Sequence, residues 1–233
     1  MTGNDAFVVL DDANLEDAVS RAYVSRMMDN GQACVSAKRF IITAGVYDKF
    51  KEMLIEKIQN TTVIGDPMDR SVNLGPLVNE AQLDRLHNQI QLAISEGGAT
   101  HIYGDLDIRK TRPDLEKGNY TDVIVLEGIN PDSHTYQTEF FGPVFNLYKV
   151  PNPKEAVDLA NKSDFGLNTS IFSQDPAKIK DISKRLRCGN VFVNEKPYTG
   201  SDFPSGGIKQ SGYGRECFSD GLFETSNRKT IIY

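Results

Sequence analysis

Short apolar runs alternate with longer amphipathic stretches along most of the chain, and this alternation restricts the fold more than any other feature. Residues 7–10, 39–42, 123–126, 144–150, 169–172 and 191–194 read as strands. Between them, Leu15, Ala18, Val19, Ala22, Tyr23 and Met27 share one helical face. Val46, Phe50, Met53, Leu54 and Ile58 share another, and Leu83, Leu86, Ile90 and Ile94 a third. Asn14 with Asp17 forms a capping pair for the first helix. Asn30-Gly31 and Gly97-Gly98 stop the first and third, while Pro153 and Asp175-Pro176 open two more. Strands separated by helices of this length pair in parallel. The chain therefore predicts an α/β fold with an open, mostly parallel twisted sheet flanked by helices. Residues 105–119, charged and containing Pro113 and Gly118, read as a surface loop.

At 233 residues the chain buries a sizeable core, and a net charge of −6 spread over interspersed acids and bases argues against a nucleic-acid surface. No apolar run approaches the ~18 residues of a membrane span, and residues 1–5 lack the features of a leader. Three cysteines without a CxxC or metal-ligand spacing predict reduced thiols in a cytoplasmic protein, with no metal site.

One cysteine stands apart. In Asn30-Gly31-Gln32-Ala33-Cys34-Val35-Ser36-Ala37-Lys38-Arg39, Cys34 follows a helix stop and precedes a strand. A free thiol has a pKa near ~8.5, and a helix N-terminus or a nearby cation activates it. A short helical turn starting at Cys34, together with Lys38 and Arg39, would supply both. Taken alone, Cys34 reads as a small buried hydrophobe, as Cys188 and Cys217 do.

Further segments carry chemistry. Glu139-Phe140-Phe141-Gly142-Pro143 sets a carboxylate and two aromatics before a strand, where side chains are delivered into a cleft. The carboxylate suits a ribose diol and the aromatic a flat heterocycle, although by itself the segment reads first as a solvent-facing Glu beside core Phe. Four glycines within residues 206–214 imply unusual dihedrals or close approach to a ligand. The run lacks the preceding strand and the spacing of a phosphate loop.

Taken in order, the segments resemble the aldehyde dehydrogenase superfamily. The matches run Gly3-Asn4-Asp5-Ala6-Phe7, Asn30-Gly31-Gln32-Ala33-Cys34, Gly65-Asp66-Pro67, Gly75-Pro76-Leu77, Glu139-Phe140-Phe141-Gly142-Pro143, Phe165-Gly166-Leu167, Gly189-Asn190-Val191-Phe192 and Gly206-Gly207-Ile208-Lys209-Gln210-Ser211-Gly212-Tyr213-Gly214-Arg215-Glu216. The opening and the ending look most like the succinate-semialdehyde dehydrogenase branch.

The resemblance implies that Cys34 attacks an aldehyde, that its backbone N–H and a side-chain amide hold the resulting oxyanion, and that hydride passes to NAD or NADP. Water would then release the acid from a thioester. Glu139 would hold the nicotinamide ribose and Phe141 would pack beside the ring. Gln82 and Arg85 would lie near the same ribose, with a solvated helix face as the alternative for both. Ser205 stands where many members carry an aromatic that walls the substrate tunnel. With Thr199, Ser201 and Arg187 it is a polar candidate for a substrate bearing a second carboxylate.

The resemblance also implies what these residues do not supply: the dinucleotide-binding half, its oxyanion asparagine, and a general-base glutamate that would fall just before Met1. It divides the chain into a thiol-bearing domain, 1–217, and a segment, 218–233, whose last residues form a strand for a homo-oligomer. A polypeptide of this kind is expected to be inactive alone. Two alternatives remain at this point: a non-catalytic oligomerisation fragment, and half of an acylating dehydrogenase, against which the Gly-Gln-Ala-Cys context speaks.

Overall fold

The structure, a computed structural model, describes residues 2–233. Strands and helices alternate as β1 (Ala6–Val9), α1 (Leu15–Met27), β2 (Arg39–Thr43), α2 (Ala44–Thr61), α3 (Glu80–Ser95), β3 (Thr100–Tyr103), α4 (Ile108–Thr111) and β4 (Ile124–Glu127). They continue through β5 (Val144–Val150), α5 (Pro153–Asn161), β6 (Phe165–Gly166), β7 (Asn168–Phe172), α6 (Pro176–Arg185), β8 (Asn190–Val193), β9 (Ile208–Lys209) and α7 (Phe218–Glu224). Seven strands form one sheet in the order β3-β4-β5-β2-β1-β7-β8. All neighbours pair in parallel except β3 with β4, so the expected mostly parallel α/β sheet is what the chain forms.

Helices cover both faces, which is why the strands read as continuous apolar runs. Along β1, Ala6 and Val8 pack with Leu83, Leu86, Ile90, Val157 and Ile182, contributed by α3, α5 and α6. Phe7 and Val9 point the other way, onto Ala18, Ala22, Phe50 and Leu54 of α1 and α2. The period-two alternation of β1 thus divides one apolar run between two cores.

Helix ends follow their local chemistry. Asn14 Oδ1 accepts the Asp17 N–H at 3.2 Å, and Asp175 Oδ1 accepts those of Ala177 and Lys178. Pro153 opens α5 behind an Asn152 cap.

Several expectations need correction. Residues 105–119 are not wholly loop: α4 and a 3-10 turn at Pro113–Leu115 tuck Ile108 and Leu115 into the body. Strand β3 and the two-residue ribbon of β6 with β9 have no strand-length apolar signal, and tertiary pairing creates them. The tail expected to add a strand to a second copy lies on the surface of this single chain. Residues 226–233 are exposed and join no strand of the sheet. The segment before them is instead the short helix α7, with Phe218, Leu222 and Phe223 exposed.

Candidate active site

Sheet order assembles the site. The segments that lead into β5, β2, β1 and β7 lie side by side because those four strands are consecutive neighbours. They carry Glu139, Cys34 with Lys38, Gly3, and Phe165 respectively. These are the N-terminal ends of parallel strands, whereas ligands in open α/β sheets usually sit at the carboxyl ends. The motif's position before β5 therefore delivers its side chains to the opposite edge from the usual one.

Close backbone approaches hold the turns together. A Cβ on Gly31 would lie 2.2 Å from the Gly142 carbonyl carbon, and one on Gly142 would lie 2.3 Å from Leu86 Cδ2. Helix α3, the Gly-Pro turn and the thiol turn are thereby stacked in contact.

Cys34 is a half-buried free thiol. It sits in a β-turn closed by Ser36 N–H onto the Ala33 carbonyl at 3.2 Å, not at the start of a helix. The helix-dipole contribution expected for it is absent, because Arg39 enters β2 too soon for a helical turn to develop. Preceding it, Asp29, Asn30 and Gly31 are all left-handed, with φ of 52°, 57° and 76°. The Asn30 amide straps this bend to residues 75–76, accepting from Gly75 N–H at 3.2 Å and donating to the Pro76 carbonyl at 3.1 Å.

The two cations after Cys34 take different paths. Arg39 turns away, donating to the carbonyls of Asn4, Leu159 and Ala160 and to Tyr136 Oη. Lys38 is fully buried and donates to the carbonyls of Ala33 at 3.0 Å and Cys34 at 2.8 Å. Its Nζ also lies 3.0 Å from Glu139 Oε1, which accepts the Gly3 N–H at 3.3 Å as well.

Behind this cluster, the buried Arg26 guanidinium binds the carbonyls of Ala37 and Gly31. Burial pushes Arg26 down to about 9 and lowers Lys38, with Glu139 and Asp5 opposing both shifts. Burial also lifts Asp5 to about 6, against Lys38 and the Asn168 donors.

Glu139 opens onto a cleft of about 460 Å³ lined by Gln82, Arg85, Gln89, Phe141, Phe165 and Thr2. The residues expected from sequence around a nicotinamide ribose, Glu139, Gln82 and Arg85, and the Phe141 expected beside its ring, thus line one cleft. In the extended run before β5, Phe140 enters the core while Glu139 and Phe141 face the cleft. Gln82, Arg85 and Gln89 form the stripe of α3 flanking its buried Leu83, Leu86 and Ile90, so that stripe is a cleft wall. Oε2 of Glu139 has no partner among the described residues and remains available to a diol.

The glycine run has a structural use. Ser211 Oγ donates to the Thr2 carbonyl at 2.6 Å and accepts the Gly166 N–H at 3.0 Å, fixing the two residues that neighbour the cleft wall at Thr2 and Phe165. A Cβ on Gly189 would lie 1.7 Å from the Gly206 carbonyl oxygen, so the close approach there is to backbone.

Thr199 and Ser201 are exposed on the loop before this run. Ser205 is buried, its backbone paired with Glu216 at 2.8 and 2.7 Å. No hydrogen bond joins these three to Cys34 or to the cleft among the described residues. No group of three or more His, Cys, Asp or Glu positioned to hold a metal is found among them either. Arg26 escaped the sequence reading, although a charge at the i+4 position from Ala22, on an otherwise buried stripe, was its signal.

The chain matches the aldehyde dehydrogenase family over residues 1–231. It is 38% identical over 229 residues to an NADP(+) succinate-semialdehyde dehydrogenase of Deinococcus radiodurans, covering 98% of this chain and 46% of that protein. A sulfoacetaldehyde dehydrogenase of Neptuniibacter caesariensis is 34% identical over 231 residues, covering 99% and 48%. The solved succinic semialdehyde dehydrogenase of Streptococcus pyogenes, in complex with NADP+, superposes with a TM-score of 0.90 at 34% identity, covering 100% of this chain and 50% of that one. The chain spans about half the length of the curated relatives it matches. With the thiol turn and the carboxylate-aromatic cleft on one sheet edge, and that match running almost from end to end, the chain belongs to the aldehyde dehydrogenase family.

Proposed function

We propose that these residues form the thiol-bearing part of an NAD(P)-dependent aldehyde dehydrogenase that oxidises an aldehyde to its carboxylic acid. The observation that carries this reading is the junction of the Cys34 turn with the Glu139 cleft through the single ammonium of Lys38. Cys34 Sγ adds to the carbonyl carbon while the carbonyl electrons move to oxygen. The Cys34 N–H makes no backbone hydrogen bond among the described residues and is free to meet that oxyanion.

Glu139, with Oε2 unpartnered and Oε1 pinned, fits a ribose diol, and Phe141 beside it fits the edge of a flat ring. Gln82 and Arg85 fit the polar groups around them. When bound, the nicotinamide dinucleotide supplies the hydride acceptor. Water cleaves the resulting Cys34 thioester, returning the thiol and releasing the acid.

Succinate semialdehyde is the substrate favoured by the relatives. Ser205, Ser201 and Thr199 are the substrate-side candidates through the polar loop that carries them. The division into a thiol-bearing domain, 1–217, and an oligomerisation segment, 218–233, is supported by the tail, where Ile232 is 90% exposed beside Ile231 and Tyr233. Such a tail suits an added strand in a homo-oligomer. Three free thiols fit a cytoplasmic protein, and no helix among the described residues is long and apolar enough to cross a membrane.

A polypeptide of these 233 residues alone is expected to form no NAD(P)H from succinate semialdehyde, because its cleft offers only the nicotinamide end of a cofactor site. Joined to the N-terminal half of the Deinococcus radiodurans relative, it is expected to oxidise the aldehyde, and Cys34→Ala to cut kcat at least about 10³-fold. Turnover by the isolated chain, or turnover surviving Cys34→Ala, would contradict the reading.

A further inference from the structure

Lys38 is a fully buried ammonium whose three N–H groups meet three acceptors: the Ala33 carbonyl at 3.0 Å, the Cys34 carbonyl at 2.8 Å and Glu139 Oε1 at 3.0 Å. A lysine so placed has no freedom to act as a mobile surface cation. The charges that face it are Arg26, held on the Gly31 and Ala37 carbonyls, and the carboxylates of Asp5 and Glu139. Glu139 differs from the others in that its side chain is 15% exposed and opens onto the cleft.

We propose that Lys38 is a positioning residue of the thiol centre, tying the Ala33 and Cys34 carbonyls to Glu139, so that the charge on Glu139 sets the reactivity of Cys34 through Lys38. The inference rests on the reading of Cys34 as the nucleophile. The carboxylate offsets the ammonium's field at the thiol turn. Removing the carboxylate's charge while keeping its shape leaves Asp5 as the one carboxylate facing the ammonium, and the stronger positive field at the thiol turn speeds attack by the sulfur.

The test is the second-order rate of iodoacetamide alkylation at Cys34, followed by peptide mass at pH 7 in the 233-residue chain and its variants. Glu139→Gln is expected to raise that rate about threefold and Lys38→Gln to lower it about threefold. The double variant is expected to react at the rate of Lys38→Gln. Glutamine at position 38 keeps an amide donor for the two carbonyls, and circular dichroism checks the fold.

An acceleration by Glu139→Gln that persists in full in the Lys38→Gln background would overturn the proposal, because the two residues would then act separately. Should Lys38→Gln not fold, Glu139→Gln decides alone: a rate equal to or below that of the parent chain also overturns it. Alkylation requires neither aldehyde nor dinucleotide, so failure of the oxidoreductase reading leaves this outcome intact.

Discussion

Asp5 lies behind the thiol turn with both oxygens accepting from Asn168, at 3.1 Å from its N–H and 2.9 Å from its side-chain amide, and burial still lifts its carboxyl to about 6. The unfolded value is 3.8, so between these two pH values the native state binds more protons than the unfolded one. The stability contributed by the neutral acid is complete below about pH 4 and is lost as pH rises through 6. Between pH 4.5 and 7 this amounts to about 2 kcal/mol. Urea unfolding should show the native chain losing that much relative to Asp5→Asn over the interval, and parallel pH profiles would contradict the assignment. At this scale the sequence was informative where a residue stands in a short motif, as Cys34, Glu139 and Phe141 do. The cluster that binds them was not visible, since Lys38 meets acceptors at 33, 34 and 139, and separations of that kind leave no periodic trace.

The run Asp29-Asn30-Gly31 shows why some elements were legible and others not. The helix stop was visible in Asn30-Gly31, and the structure adds that three successive left-handed residues throw the chain from α1 into the thiol turn. Gly31 needs its missing side chain twice over, for φ of 76° and for contact with Gly142. Gly31→Ala is expected to destabilise the chain by about 3 kcal/mol or more in urea unfolding. A loss below about 1 kcal/mol would mean that the bend is not constrained as described. Helices with strong caps and two-sided strands were legible from their patterns. Strand β3 and the ribbon of β6 with β9 owe their form to partners distant in sequence. The tail expected as a strand at 226–233 joins no strand of the sheet within one chain.

Across the whole molecule, the candidate site depends on strand order more than on any single motif. Gly3 and Glu139 are 136 residues apart and meet because β5, β2 and β1 are adjacent, with the cleft forming where the segments leading into them converge. The alternation of strands and helices predicted the sheet, but the order of strands within it, and hence which edge carries the site, is not written in any one segment. On the proposed function, this edge presents Cys34 as a nucleophile. That role is tested most directly by exposing the 233-residue chain to p-nitrophenyl acetate and locating the acetyl group by peptide mass. A single acetyl on Cys34, lost in Cys34→Ala, is expected, with Cys188 untouched because burial pushes its thiol up to about 11. Acetyl groups spread over lysines or on Cys217, with Cys34 free, would contradict the account.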